Sequence, residues 1–157
     1  MKIFAVGNSF YGDDGVGAAV LEHIRECESF PGAELVDIHT DALALVDELA
    51  PDVLNVVIDA ADMGVEPGEA IGFRPSEVEM KIKSDHLSMH GFGLAEAFGL
   101  ATQLGCMPRQ VLIVGVQPER IEINQGLTAK VAAAVPHVIS IIKAEVQPHE
   151  CQDHPGH

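Results

Sequence analysis

Ile3-Phe4-Ala5-Val6-Gly7-Asn8-Ser9-Phe10-Tyr11-Gly12-Asp13-Asp14-Gly15-Val16-Gly17 runs from a short apolar stretch through a glycine-rich turn into an amphipathic pattern. The apolar run is too short for a membrane span or a signal-peptide core, and no cleavage pattern follows it, so it reads as a first strand. A helix is predicted over about Asp14 to Glu28, with carboxylates in its opening turn where the backbone dipole favours them. Further strands are predicted at Ala33 to Ile38, Val53 to Ile58, Ala70 to Phe73 and Val111 to Val116. Helical patterns cover about Ala42 to Leu49, Gly91 to Leu104 and Leu127 to Val146. The order strand, helix, strand, helix, strand implies an α/β protein whose mostly parallel sheet of about five strands is covered on both faces.

The chain has 157 residues, 47% of them apolar and 21% charged, which suits one compact soluble domain. That domain is expected over 1–146. Pro136, inside the last helical pattern, predicts a kink or a split there. Beyond Val146 the chain reads QPHECQDHPGH, so 147–157 is expected to be a flexible tail. Its His149, Cys151, His154 and His157 are expected to form no site needed for activity.

A net charge of -15, from 24 acidic and 9 basic residues, argues against nucleic acid as a partner, because phosphate binding needs clustered Lys and Arg. Cys27, Cys106 and Cys151 are odd in number and lack CxxC spacing, which disfavours a disulfide framework or a thiolate zinc site and fits a reducing cytoplasm. Cys27 and Cys106 read as small helix residues, not nucleophiles, since nothing nearby in sequence would lower a thiol pKa.

The glycines of the first turn invite a nucleotide-binding reading. Their spacing misses GxGxxG, however, and Asp13 and Asp14 would repel a pyrophosphate at the helix N-terminus, so a cation is the better guest. The plain alternative is that one aspartate caps the helix, worth about 1–2 kcal/mol with its dipole contact. Asp59 follows an almost wholly apolar strand, and a carboxylate there must be hydrated, paired or metal-bound. Asp62 and Glu66 in the next loop have solvation as an adequate explanation. His86 and His90 precede an apolar helix in Ser84-Asp85-His86-Leu87-Ser88-Met89-His90-Gly91-Phe92-Gly93-Leu94, where a single histidine is more often structural than a ligand.

Four stretches in order, GNSFYGDDGVG, IDAADMGVEPGE, MHGFGLAEA and VGVQPERIEINQGLT, resemble the hydrogenase maturation proteases, and the resemblance extends from Ile3 to Ile142. It implies a three-layer αβα sandwich and a cytoplasmic, monomeric endopeptidase. The activity implied is removal of the C-terminal extension from a nickel-iron hydrogenase large-subunit precursor after nickel insertion. It further implies catalytic, metal-contacting roles for Asp14, Asp59 and His90, with Asp13 as a possible substitute for Asp14. The Gly93-Leu94 pair selects His90 over His86. Nickel would be carried by the substrate, with no organic cofactor. Two carboxylates and an imidazole suit nickel, zinc or similar transition ions, and three protein ligands leave positions open for substrate or water. One departure is Asp37-Ile38-His39-Thr40-Asp41, where many members carry an Asp-Gly-Gly-Thr-like stretch; it leaves the identity of the hydrogenase open. Two rivals remain at this point: a non-catalytic chaperone for the nickel centre, which would bind without cleaving, and a small-substrate hydrolase on a similar fold.

Overall fold

The structure, a computed structural model, describes residues 1–78, 93–123 and 126–152, with side chains to 147. Five strands form one sheet: β1 (Lys2–Val6), β2 (Glu34–His39), β3 (Asn55–Ala60), β4 (Ala70–Phe73) and β5 (Val111–Val116). Their spatial order is β2-β1-β3-β5-β4, parallel except for β4, which runs antiparallel to β5 at one edge. Among the described residues the α-helices are α1 (Val16–Cys27), α2 (Ala42–Glu48), α3 (Leu94–Gln103) and α4 (Ala129–Gln152).

Alternation along the strands sorts the core into two layers. Ile3, Ala5, Val56, Ile58, Leu112 and Val114 face α1, through Val20 and Ile24, and α4, through Val131, Val138 and Ile142. Phe4, Val6, Val57 and Ile113 face the other way, onto Leu45 of α2 and Leu94 and Phe98 of α3. The result is the expected αβα sandwich. All the central strands are buried on both sides, which is why they read as continuous apolar runs and lack polar alternation.

From β1 the chain first adds β2 on one side and then returns to place β3 on the other. The direction of winding therefore reverses between β1 and β3, and the crevice outside their carboxyl ends is where such sheets bind ligands. The turn after Val6 and the end of β3 meet there.

Several boundaries differ from the sequence reading. Asp59 lies within β3, as its penultimate residue, and not beyond the strand's end. Asp13 and Asp14 precede α1 in a separate 3-10 turn, Gly12–Gly15. Cys27 closes α1, whereas Cys106 stands past α3 in a non-helical stretch; both are exposed thiols. No split occurs at Pro136: α4 runs unbroken to Gln152. Pro136 and Ala132, the carbonyl left without its usual donor, both lie on the exposed face, so water can satisfy that oxygen. Among the described residues no helix is long and apolar enough to cross a membrane.

Asn55 is fully buried at the start of β3 and joins it to the end of α2. Its Oδ1 accepts from the Ala50 N–H, and its Nδ2 donates to the carbonyls of Ala50 and Val53 at 2.8 and 2.9 Å. Replacing it leaves three part-buried backbone groups without that partner, at about 1 kcal/mol each. Asn55→Leu is therefore expected to lower the unfolding free energy in urea by at least about 2 kcal/mol, with the m-value unchanged.

Candidate active site at the carboxyl edge of the sheet

The turn after β1 is shaped by a close approach. Gly7 has φ +133°, a region that side chains avoid, and a Cβ there would overlap the Asp14 carbonyl oxygen. The turn thus folds back onto the end of its own strand. Asn8 consolidates it: its carbonyl accepts from the Tyr11 N–H and its Oδ1 from the Phe10 N–H. Its N–H, in turn, donates to Asp14 Oδ2 at 2.8 Å.

Asp13 and Asp14 are both buried, but their carboxylates have different duties. Asp13 Oδ2 accepts from the backbone N–H groups of Glu119 and Arg120, at 2.9 Å each. Its Oδ1 accepts from the Thr128 N–H at 2.7 Å, and the Thr128 hydroxyl reaches both oxygens. Both Asp13 oxygens are thus engaged by the chain's own donors. Neither aspartate caps a helix, because neither the 3-10 turn nor α1 has a side-chain cap hydrogen bond.

Asp59 shares its face of the sheet with Val57, and its register partner on β5 is Gly115. It is 8% exposed, and its Oδ1 has no hydrogen-bond partner among the described residues. Burial pushes its carboxyl well above the usual carboxylate range, the negative charge of Asp14 pushes the same way, and a backbone hydrogen bond from Ala60 opposes them. The structure therefore brings Asp14 and Asp59 into one electrostatic unit. His90, the third expected member, and His86 lie outside the described residues. Among the described residues no three His, Cys, Asp or Glu side chains converge as a metal site. An acidic pair with an orphaned, buried oxygen is chemically suited to a cation, which would supply the missing partner and offset the repulsion.

Gln117, which the sequence reading did not single out beyond its motif, shapes the loop after Asp59. Its buried Oε1 accepts from the Met63 N–H at 2.7 Å, and its Nε2 donates to Asp62 Oδ1. Asp62 also accepts from the Gly64 N–H, so it is part of the loop's framework and more than a solvated surface charge. The departure at Asp37 to Asp41 also has a local signature. His39 adopts φ +57°, the left-handed conformation that glycine takes without strain, and its N–H is held by Asp37 Oδ1. A signal for Asp13 and Gln117 was present only as their membership of two motifs; their long-range pairing was not visible.

A family model described as hydrogenase maturation protease matches residues 18–145, most of the chain but not the Asp14 turn. The hydrogenase expression/formation protein HoxM of Azotobacter vinelandii is 34% identical over 121 residues, which are 76% of this chain and 58% of that protein. The chain thus spans a little over half the length of that relative. The hydrogenase 2 maturation protease of Escherichia coli is 26% identical over 92% of this chain and 89% of its own. Among solved structures, the hydrogenase maturating endopeptidase HybD of E. coli superposes with a TM-score of 0.79 at 25% identity, covering 95% of this chain and 94% of that one.

The raised Asp59 carboxyl has a consequence for stability. The native state holds a proton that the unfolded chain has released, in the pH window between the ordinary carboxylate value and the higher folded one. Stability therefore falls as pH rises through that window, and the full penalty is present above it. Asp59→Asn removes the buried ionisable carboxyl and is expected to raise the Tm at neutral pH by about 2–4 °C or more, as ~1 kcal/mol does in a domain of this size. The gain should vanish in thermal melts below the ordinary carboxylate pKa, where both proteins are neutral at this position.

Proposed function

The chain belongs to the hydrogenase maturation protease family, and on that premise we propose that it is an endopeptidase. Its reaction is removal of the C-terminal extension of a nickel-iron hydrogenase large-subunit precursor after nickel has been inserted. The observation that carries the reading is the buried Asp59 carboxylate, with an oxygen lacking a partner among the described residues, repelled by Asp14 at the sheet's switch point. A site under that strain is poised for a positive ion. The protease names of the relatives from E. coli support the chemistry, and their near full-length coverage supports carrying it to this chain.

In this reading nickel arrives as part of the substrate, already held by the precursor. Asp14 and Asp59 fill coordination positions left open on it, together with His90, which the family resemblance assigns. Binding at those positions places the scissile peptide beside the carboxylates and converts recognition into proximity. The ion's charge favours ionised Asp59, reversing the push of burial and of Asp14. A reducing cytoplasm is the proposed setting, since Cys27 and Cys106 are exposed free thiols.

Mixing the purified protein with nickel-loaded precursor, and following loss of the extension by mass spectrometry, tests the proposal. Wild type is expected to cut the loaded precursor and to leave nickel-free precursor intact. Asp14→Asn, Asp59→Asn and His90→Ala are each expected to lose at least about 100-fold in processing rate while keeping a native circular dichroism spectrum. Efficient cutting of precursor that never received nickel would return any catalytic metal to this protein.

A further inference from the structure

Asp13 is a fully buried carboxylate whose hydrogen bonds are unusual for a turn residue. The donors, Glu119, Arg120 and Thr128, all lie more than 100 residues along the chain. The contact is closed from the other side too, because the Asp13 N–H donates to the Arg120 carbonyl at 3.0 Å. Next to it, a Cβ on Gly12 would come within 2.8 Å of that same carbonyl oxygen, so the two backbones meet directly. Hydrogen bonds to a charged group are about twice as strong as neutral ones. A helix cap needs only one such bond, and Asp13 makes none to α1.

We propose that Asp13 is a positioning residue: by clamping the backbone at Glu119, Arg120 and Thr128 it holds the Gly12–Gly15 turn in place and so aims Asp14 at Asp59. The turn leaves little slack for any other arrangement. Asp14 follows Asp13 directly, its carbonyl is pressed against Gly7, and its carboxylate is tied to the Asn8 N–H. Displacing Asp13 displaces the backbone that carries Asp14. The inference rests on the endopeptidase reading only for its effect on turnover; the mechanical link itself is independent of it.

Two variants probe the clamp at different strengths. Asp13→Asn turns one acceptor into a donor that faces donors, and Thr128→Val removes only the hydroxyl. Thr128→Ser restores that hydroxyl and serves as the conservative rescue. Ile142→Val, in the core on the buried face of α4 and well along the helix from Thr128, serves as a destabilised control away from the clamp. At temperatures where all are folded, kcat per folded molecule on nickel-loaded precursor is expected to fall about 10- to 100-fold in Asp13→Asn, as for other residues that orient a ligand, and less in Thr128→Val. Thr128→Ser and Ile142→Val should stay within about twofold of wild type, as changes outside the orienting contacts do. A purely structural role would instead lower Tm in both Asp13→Asn and Ile142→Val and leave kcat per folded molecule alike.

Hydrogen exchange at the Asn8 amide supplies a readout that needs no catalysis. Asp13 does not touch that amide; Asp14 does. Faster Asn8 exchange in Asp13→Asn and Thr128→Val, but not in Ile142→Val, is the expected result, and unchanged Asn8 protection in both clamp variants overturns the proposal. If Asp13→Asn does not fold, Thr128→Val decides. If wild type itself fails to cut the precursor, the endopeptidase reading falls, and the Asn8 amide still judges the clamp.

Discussion

Two carboxylates held close together in a buried setting repel, and the carboxyl edge of this sheet is arranged around that repulsion. Asp59 is fixed by strand register, one residue from the end of β3. Asp14 is fixed by a turn that cannot relax, because Gly7 leaves no room behind it. Neither group can withdraw toward solvent by rotating its own backbone. Burial first, and the negative charge of Asp14 second, push the Asp59 carboxyl toward its neutral form. Local strain of this kind persists only where the surroundings determine the geometry several times over, and here a sheet with α1 and α4 packed behind it does so.

The adjacent residues Asp13 and Asp14 turn to different partners. An aspartate whose oxygens accept from several backbone donors is a strong structural tie, since its lone pairs are engaged. The 3-10 turn separates the two side chains so that Asp13 serves the chain's own backbone at Glu119, Arg120 and Thr128, and Asp14 lies beside Asp59. The family-like stretches GNSFYGDDGVG and VGVQPERIEINQGLT are thereby parts of one construction, joined through Asp13.

All five strands and the αβα layering were legible in the chain because each central strand is buried on both faces and therefore reads as an unbroken apolar run. What local pattern could not carry was anything that depends on partners far away in sequence. Val53 and Leu54 are as apolar as the residues after them, yet the strand begins at Asn55, whose side chain is committed to the preceding loop, and it extends through Asp59 to pair with Gly115. Asp13 and Asp14 look alike in sequence, and only the backbone at 119, 120 and 128 distinguishes them. Pro136 signalled a break that the helix does not make, since its local penalty falls on a solvated face while Val131, Val135, Val138 and Ile139 hold both sides of it to the core.

The environment that burdens Asp59 is itself built by residues that carry no charge. Its neighbour in register, Gly115, presents no side chain on that face, and the Met63 sulfur occupies the space a Cβ would need, 2.8 Å away. Met63 can lie there because Gln117 captures the Met63 N–H and draws the loop after β3 back across the sheet end. Apolar atoms thus replace water near the register position of Asp59, and desolvation becomes the largest influence on its carboxyl, ahead of Asp14. Acidity at this edge is set by how the loop from Ala61 packs as much as by the aspartates themselves. A change at Gly115 or Gln117 that readmitted water would relax the pair without touching either carboxylate.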